Sequence, residues 1–288
     1  MGIQLSYSAA ERYILSSMSY YLHYFLRLRP IDTGSALLFG NAIDSALNYL
    51  LNQKKKNEQC TNEDAKDVFR KIMEQNSNNV KYSKADLDET LLIDTLVLND
   101  KPREYYSLLQ KGYIMIDSYV DQILPKIKTV HEVQYNINMK NTNGDSFIGV
   151  VDLVATLIDG KCYILDNKTS SKKYKSDSVG ESGQLATYFE ALKDTYDLAG
   201  AGYIVIPKTI RKKKEPKCEI EIILGETKEE LIQETFVKYD QVLNGIKMGK
   251  FECSGDCKAQ PWGCCYKVYC ESNGMDTTGL SIQKERSK

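Results

Sequence analysis

Histidine is scarce in this sequence: among 288 residues the chain has only His23 and His131. So few histidines argue against a His-rich catalytic zinc site and against a Ser-His-Asp triad. Two phosphate-binding glycine patterns are also missing, the P-loop of ATPases and the dinucleotide-binding fingerprint. A motor or ATPase function is therefore not expected here, and another chain would have to supply it.

Long apolar runs are absent as well, and no stretch is long enough to span a bilayer. The N-terminus has neither the basic nor the apolar region of a signal peptide. We therefore expect a cytoplasmic protein without a membrane partner. A hydrophobic content of 42% and a charged content of 27% are ordinary for a globular protein.

An excess of positive charge is also lacking, because the formal net charge is −1. Binding to nucleic acid would therefore depend on local basic patches. Two such patches occur, and a solvated loop would explain either one alone. The first contains Lys168, Lys172, Lys173 and Lys175; the second contains Arg211, Lys212, Lys213, Lys214 and Lys217.

The hydrophobic spacing predicts helices first and a mixed sheet afterwards. Helices are predicted at 8–28, 33–56, 62–74, 103–123, 181–198 and 228–247, and strands at 133–139, 147–158, 161–169, 201–207 and 218–224. This order is typical of an α/β core with mixed strand directions. We expect a helical part at 1–125 that contributes one active-site helix, a core at 126–248, a Cys-rich module at 249–272 and a disordered tail at 273–288.

Two acids stand in strands that should be buried, Asp152 in the first strand of a hairpin and Asp166 in the second. A buried carboxylate without a partner is costly, so each needs a cation or a metal ion. Two converging carboxylates form a hard oxygen site suited to Mg²⁺ or Mn²⁺. Such a cation would lower the pKa of a bound water and offset charge on a phosphate.

The turn of this hairpin decides whether the two acids can meet. A two-residue turn would put Asp152 and Asp166 on opposite faces of the sheet. A three-residue loop, with Gly160 in the left-handed conformation, pairs Leu157 with Lys161 and sets the two acids opposite each other. A shared metal site requires the second register.

The spacing Asp166-x-Lys168 places both side chains on one face, because residues two apart in a strand share a face. Lys168 could then orient the attacking water or stabilise negative charge in the transition state. A simple surface salt bridge would explain this tripeptide alone. The presence of Asp152 in a buried strand favours the catalytic interpretation.

Three short motifs follow one another: Gly149-Val150-Val151-Asp152, Asp166-Asn167-Lys168 and Gln184-Leu185-Ala186-Thr187-Tyr188. Together they resemble the PD-(D/E)XK nuclease superfamily, and within it the RecB-like exonucleases and CRISPR-associated nucleases. The resemblance runs from about the second helix to the Cys cluster. It implies a restriction-endonuclease-like fold, with a mixed β-sheet core flanked by helices, and a metal-dependent deoxyribonuclease that acts as an exonuclease.

The resemblance also implies further site residues. Gln184 and Tyr188 match the family's substrate-contacting pair on one helix face. The family's metal-binding histidine aligns with Asp44 in Gly40-Asn41-Ala42-Ile43-Asp44, and an aspartate can also bind Mg²⁺. The backbone carbonyl of Asn167 could complete the coordination, and Glu132 is a weaker candidate ligand that an exposed position would also explain.

Five of the eight cysteines crowd near the C-terminus as Cys253, Cys257, Cys264, Cys265 and Cys270. In a cytosolic protein this clustering indicates a metal site. RecB-like nucleases often hold a [4Fe–4S] cluster here, but its N-terminal cysteine is missing from this chain. Cys253, Cys257, Cys264 and Cys270, with Cys265 as the alternative to Cys264, could instead form a four-cysteine site by themselves that holds Zn²⁺ or a cluster, and both metals stay open.

The predicted substrate is DNA, since the basic segment after Lys168 is placed to meet a phosphate backbone. Single and double strands, and exonuclease and endonuclease action, stay unresolved. The resemblance suggests recombination, repair or phage and mobile-element DNA processing in a bacterial or phage-infected cytosol, with a helicase or recombination protein as partner. A non-catalytic DNA-binding subunit, a zinc-stapled interaction protein and an RNA-cutting enzyme remain as alternatives.

Overall fold

The computed structural model describes residues 2–92, 101–171, 173–211, 216–253 and 264–283. Predictions that concern Lys172, Lys212, Lys213, Lys214 and Cys257 lie outside the described residues. Within the described part, no helix is both long and apolar enough to cross a membrane.

The helices and strands follow the predicted order. The helices are α1 (Tyr7–Leu15), α2 (Ser17–Tyr20), α3 (Ser35–Lys56), α4 (Asn62–Gln75), α5 (Arg103–Gln122), α6 (Gly183–Leu192), α7 (Glu229–Lys247) and α8 (Lys267–Glu271). The strands are β1 (Gln4–Ser6), β2 (Leu28–Pro30), β3 (Thr33–Gly34), β4 (Val80–Lys81), β5 (Ile127–Lys140), β6 (Ser146–Leu157), β7 (Cys162–Ser170), β8 (Leu198–Pro207), β9 (Glu221–Gly225) and β10 (Leu280–Ile282).

Two predictions at the ends of the chain are wrong. The single helix expected over 8–28 is interrupted at Ser16, whose extended backbone ends α1 and whose hydroxyl accepts a hydrogen bond from the backbone N–H of Ser19 to cap α2. In the tail expected to be disordered, β10 pairs antiparallel with β2. This pairing and the burial of Leu280 beside Tyr266 order a segment that looks polar in sequence.

The chain divides into two compact units. Unit 1 contains residues 1–32, 138–149 and 232–288, and unit 2 contains residues 33–137 and 150–231. Each unit is therefore assembled from separate stretches of chain. The predicted boundaries near residues 125, 248 and 272 follow sequence order and stay a prediction.

Unit 2 holds most of the mixed sheet and its helices. Strand β7 lies between β6, with which it is antiparallel, and β8, with which it is parallel, and β9 is antiparallel to β8. Strand β5 also pairs with β6. Helices α3, α4 and α5 pack on alternate residues of these strands in one apolar cluster, which includes Leu153, Leu165 and Ile204. This mixed sheet with helical cover confirms the predicted α/β fold class.

Unit 1 has two smaller apolar clusters. In the first, α1 and α7 pack with Leu5 of β1 and Phe147 at the start of β6, where β1 and β6 pair in parallel. In the second, Leu22, Leu28 and Tyr266 surround Leu280. Long-range contacts of this kind hold together stretches that are far apart in the sequence.

A close contact between α5 and α4 makes Gly112 sensitive to substitution. A Cβ atom at Gly112 would overlap Cζ of Phe69, whose ring is fully buried. We expect Gly112→Ala to lower the free energy of unfolding by about 1–2 kcal/mol, because this overpacking outweighs the gain in helix propensity. Urea unfolding monitored by circular dichroism measures the change.

Gly40→Ala is the matched control for Gly112→Ala. Gly40 is also helical, but its added Cβ would meet only Thr169 Oγ1, at an ordinary 3.6 Å. This variant should keep or slightly raise stability, since alanine favours a helix. Equal effects of the two substitutions would contradict the packing explanation.

Candidate active site

The turn between β6 and β7 has the three-residue form that a shared site requires. The backbone N–H of Leu157 donates to the carbonyl of Lys161 at 3.0 Å, and that of Gly160 donates to the carbonyl of Leu157 at 3.0 Å. Gly160 has a φ of +81°, the left-handed conformation predicted for it. The predicted loop length is therefore confirmed.

The ladder that follows this turn fixes the position of the two acids. Leu153 is the partner of Leu165, and continuing this register by one residue sets Asp152 opposite Asp166. The two aspartates thus face each other across neighbouring strands, as the prediction required. The alternative register, which would have separated them and favoured a simple interaction protein, is absent from this hairpin.

Asp152 is held through both of its oxygens. Oδ2 accepts a hydrogen bond from the backbone N–H of Asn167 at 3.0 Å, and Oδ1 accepts one from Nε2 of Gln134 at 3.2 Å. Burial raises the pKa of Asp152, while the hydrogen bond from Asn167 and the charge of Lys168 oppose that rise. The orientation of this carboxylate is therefore set before any ligand binds.

Gln134 is a site residue that sequence reasoning missed. It lies within β5, yet its φ of +52° is in the left-handed region that non-glycine residues seldom adopt. The irregular backbone at this point accompanies a side chain that reaches Asp152. A lone glutamine in a half-buried strand carries no motif, so only the hydrogen bond identifies it.

Asp166 and Lys168 form the second half of the centre. The Asp166 residue is 2% exposed, and its Oδ2 lies 2.7 Å from Nζ of Lys168. The contact is an ion pair whose angles do not make a hydrogen bond, and Oδ2 has no other hydrogen-bond partner among the described residues. Burial, with the nearby charge of Asp152, raises the pKa of Asp166 to about 7.

Lys168 stays charged in this setting. Burial works to lower its pKa, but the carboxylates of Asp166 and Asp152 outweigh burial, and the pKa of Lys168 is raised. Its ammonium group also lies 3.4 Å from Oε1 of Gln184. The ammonium group of Lys168 is therefore held between the Asp166 carboxylate and the Gln184 amide.

The Gln184 and Tyr188 pair lies on α6, next to Lys168. Nε2 of Gln184 donates to the hydroxyl of Tyr188 at 2.9 Å, so the two side chains form one hydrogen-bonded row on the helix. Tyr188 is buried, and burial raises its pKa. The structure thus brings this pair to Lys168, and the role in substrate contact stays a prediction.

Asp44 enters the same site from α3. It lines a pocket of about 230 Å³ together with Asp152, Asn167 and Lys168. Its Oδ2 accepts a hydrogen bond from Asn48 at 3.0 Å. Burial, followed by the charge of Asp152, raises the pKa of Asp44 to about 6.

Glu132 has other partners. Its Oε2 lies 2.8 Å from Nζ of Lys55, and its Oε1 accepts a hydrogen bond from the hydroxyl of Tyr196 at 3.2 Å. Both oxygens are thus engaged on the surface of unit 2. Glu132 is not among the residues that line the pocket of Asp44 and Asp152.

Across the described residues, no three His, Cys, Asp or Glu side chains stand close enough to form a metal-binding group by themselves. The charge of Asp152 nevertheless acts on both other aspartates of the site, since it helps to raise the pKa of Asp166 and that of Asp44. A cation here would therefore need oxygen atoms other than carboxylates, such as a backbone carbonyl and water, which Mg²⁺ commonly takes.

A family model described as the PD-(D/E)XK nuclease superfamily matches residues 4–271. The chain belongs to this superfamily. The match covers both units and includes Asp44, the hairpin acids and α6. The predicted family is therefore confirmed, whereas its RecB-like or CRISPR-associated branch is not decided by this match. No curated protein matches the PD-(D/E)XK chain in sequence.

Among solved structures, the PD-(D/E)XK chain is similar to a candidate exonuclease from Eubacterium rectale, at 13% identity and a TM-score of 0.50. The alignment covers 99% of this chain and 91% of the other. SSO0001 aligns over 49% of this chain and 60% of its own at 14% identity, but its TM-score of 0.30 is too low to inform the fold. At such low identity the first likeness concerns the fold alone.

The cysteine module lies in unit 1 and is described only in part. Cys264 and Cys270 are half-buried against the cluster of Leu22 and Tyr266, while Cys253 and Cys265 are exposed. Cys257 lies outside the described residues. The four-cysteine metal site therefore stays a prediction.

Proposed function

We propose that this PD-(D/E)XK protein is a Mg²⁺- or Mn²⁺-dependent deoxyribonuclease with its centre at Asp152, Asp166 and Lys168. The observation that carries the proposal is the buried Asp166 carboxylate, which lies opposite the half-buried Asp152 in the hairpin register and beside a charged lysine on the second strand. A buried acid whose pKa is raised by burial and by a neighbouring carboxylate, as that of Asp166 is, is costly to the fold and typical of functional sites. The family match supports hydrolysis of nucleic acid as the reaction.

The donor set fits a hard divalent cation. Asp166 Oδ2 is buried without a hydrogen bond, and Asp44 and Asp152 line the adjoining pocket. These residues would hold the cation, and the backbone carbonyl of Asn167 is a further candidate. When bound, it would offset the charge of the scissile phosphate and acidify the attacking water.

The protein's own groups would do the remaining work. Lys168 would orient the attacking water or stabilise the charge that develops on the phosphate, since its ammonium group is fixed between Asp166 and Gln184. Gln184 and Tyr188 would contact the substrate from α6. Asn167 and Gln134 would hold the Asp152 carboxylate in place.

An exonuclease of the RecB-like branch is the finer form of this proposal. The order of the Gly149–Asp152, Asp166–Lys168 and Gln184–Tyr188 motifs supports the branch. The name of the Eubacterium rectale protein supports exonuclease action by analogy of fold. Recombination, repair or mobile-element DNA processing, with a helicase or recombination protein as partner, would suit such an enzyme.

The proposal is tested by incubating purified protein with DNA labelled at one end, single-stranded or duplex, and with RNA of the same sequence. Mn²⁺, Mg²⁺ and EDTA are compared. We expect cleavage of DNA with either cation and none with EDTA, with short terminal products if the enzyme is an exonuclease. Cleavage that persists in EDTA would overturn the metal-dependent mechanism. No cleavage by folded protein with either cation would favour a non-catalytic nucleic-acid-binding protein of the same fold.

Gln134→Leu should lower the affinity of the site for the divalent cation without unfolding the protein. Loss of the hydrogen bond to Asp152 Oδ1 frees a carboxylate that would bind the cation. Removal of such a supporting partner typically costs about 10- to 100-fold in metal affinity or activity. The Mn²⁺ concentration that gives half-maximal cleavage should rise by about that factor.

Asn136→Leu is the control for Gln134→Leu, because it replaces an exposed amide on the same strand. It should leave the Mn²⁺ dependence unchanged. A Gln134→Leu protein with normal Mn²⁺ dependence would show that Asn167 alone suffices to orient Asp152.

We further propose that Cys253, Cys257, Cys264 and Cys270 bind one Zn²⁺ or a [4Fe–4S] cluster that pins the C-terminal segment, with Cys265 as the alternative to Cys264. The proximity of Cys264 and Cys270 to one apolar cluster supports it. Elemental analysis of protein purified without oxygen separates the two metals. Absence of both zinc and iron from folded protein would reject the site.

A further inference from the structure

A second pocket, of about 350 Å³, lies in unit 2 beside the proposed catalytic centre. Ser170, Tyr174 and Val205 contribute to its wall, and none of these three lines the smaller pocket that holds Asp44 and Asp152. It is therefore a separate space, and the proposed chemistry leaves it without a role.

The strand register places this pocket directly next to Lys168. In the parallel pair of β7 and β8, Lys168 is the partner of Val205, and Ser170 is the partner of Pro207. Paired residues and residues two apart share one face of a sheet, so the pocket opens on the face that carries Lys168. Its nearest wall is roughly 5 Å from that lysine's strand position, the spacing of neighbouring strands.

The pocket offers a flat aromatic surface. Tyr174 is half-buried, and its ring packs against that of Tyr203 with centroids 5.2 Å apart and planes at 63°. Tyr203 is in turn held by a hydrogen bond from its hydroxyl to Ser182 at 2.6 Å. The Tyr174 ring is therefore supported from one side by a fixed neighbour while it lines the pocket.

Among the described residues of the wall, the formal charges cancel. Lys173 and Arg211 carry positive charge, Glu219 and Glu221 carry negative charge, and Arg211 forms an ion pair with Glu219. Such a wall offers hydrogen-bond donors and acceptors but no net attraction for a phosphate. The chemistry suits a neutral planar group with polar edges, which is the description of a nucleobase.

We propose that this pocket binds an unpaired nucleobase of the nucleotide next to the scissile phosphate, stacked on Tyr174, so that the enzyme selects single-stranded DNA or a frayed end. A base within a duplex is stacked and paired and cannot enter without being extruded. The inference rests on the proposed nuclease function, because the pocket acquires this meaning only from the scissile phosphate at Lys168.

The test measures DNA binding under conditions in which the DNA is not cleaved. Binding of fluorescein-labelled single-stranded oligo(dT) and of a blunt duplex is followed by fluorescence anisotropy with Mg²⁺, in a Lys168→Ala background that prevents cleavage. Within this background Tyr174→Ala, Tyr174→Phe and, as a control on an exposed ring, Tyr135→Ala are compared. Loss of a stacking ring should weaken single-strand binding by roughly 5- to 150-fold.

The expected result is loss of single-strand affinity in Tyr174→Ala, retention in Tyr174→Phe and Tyr135→Ala, and unchanged duplex binding. An oligonucleotide with abasic residues should bind the parent and Tyr174→Ala proteins alike. Single-strand affinity of Tyr174→Ala within twofold of its parent, or an equal loss on duplex, would overturn the inference. Failure of the nuclease proposal shows itself separately, as absence of metal-dependent cleavage by the wild-type chain.

Discussion

Lys168→Ala should lower DNA cleavage by about 100- to 1000-fold or more while the protein stays folded. Lys168 is a charged donor that the structure fixes between Asp166 and Gln184 on the face of β7. Removal of its ammonium group leaves charge on the phosphate unopposed in the transition state, so the loss should fall on kcat more than on KM. Single-turnover cleavage of end-labelled DNA with Mn²⁺ measures it.

Lys161→Ala is the matched control. Lys161 lies on the same hairpin, is exposed, and pairs with Leu157 at the turn through its backbone, which the substitution keeps. Its cleavage rate should equal that of the wild type. If Lys168→Ala cuts DNA at the wild-type rate, or if both variants lose activity together, the centre at Lys168 is refuted.

Asp166→Asn should have two opposite effects, a loss of activity and a gain of stability in metal-free buffer. The activity should fall more than about 100-fold, because a direct ligand should matter more than the outer partners whose removal costs 10- to 100-fold. The stability should rise because the buried carboxylate is replaced by a neutral group of similar shape. Lys168 keeps Asp152 as a countercharge in the variant.

The gain in stability should depend on pH in a defined direction. The pKa of Asp166 is raised from 3.8 to about 7 in the folded protein, chiefly by burial. Protonated Asp166 therefore makes its full contribution to the free energy of unfolding below about pH 4. That contribution is lost as the pH rises through the folded-state pKa of about 7. Three pKa units correspond to on the order of 4 kcal/mol, so Asp166→Asn should be more stable than wild type by up to this amount at pH 8.

Urea unfolding in EDTA at pH 5 and pH 8 checks this prediction. The advantage of Asp166→Asn should be small at pH 5 and larger at pH 8, and Mg²⁺ should stabilise the wild type more than the variant. An advantage that does not grow with pH would show that the Asp166 carboxylate is not destabilised by its surroundings.

Asp145→Asn supplies a control of opposite sign. Asp145 is also buried, but Nζ of Lys247 lies 2.6 Å from its Oδ2 and the backbone N–H of Ile3 donates to Oδ1 at 3.0 Å. The hydrogen bond from Lys247 holds the pKa of Asp145 below its usual value. Its carboxylate stabilises the fold above that pKa, so Asp145→Asn should destabilise the protein at neutral pH.

These two aspartates show what sequence alone can and cannot say about a buried acid. Asp145 follows a polar Asn-Gly turn just before β6, Asp166 stands in the apolar strand β7, and both are almost fully buried. Each has an ammonium group within 2.7 Å, but Asp145 also accepts a backbone N–H, whereas Asp166 lies near a second carboxylate. The opposite pKa shifts arise from these neighbours in space, which the local sequence of neither residue specifies.

The sequence by itself determined the elements and the centre of the site. The spacing of apolar residues predicted most long helices and strands, because burial of one face imposes the period of each element. The sequence left two hairpin registers open, and the structure adopts the three-residue loop with Gly160 in the left-handed conformation that the shared site requires. With the register fixed, Asp152, Asp166 and Lys168 had to share a face.

Only the tertiary structure decided which distant residues join that centre. Gln134 reaches it from β5, and Tyr174 lines its neighbouring pocket. Asp44, which the family resemblance had indicated, lines the site pocket from α3. The short strands β1 and β10 exist because they pair with partners far away in the chain. A three-residue strand is too short to show a hydrophobic period in the sequence. A hydrogen bond between residues far apart in the chain cannot be predicted from the local sequence of either residue, so both features depend on the folded chain.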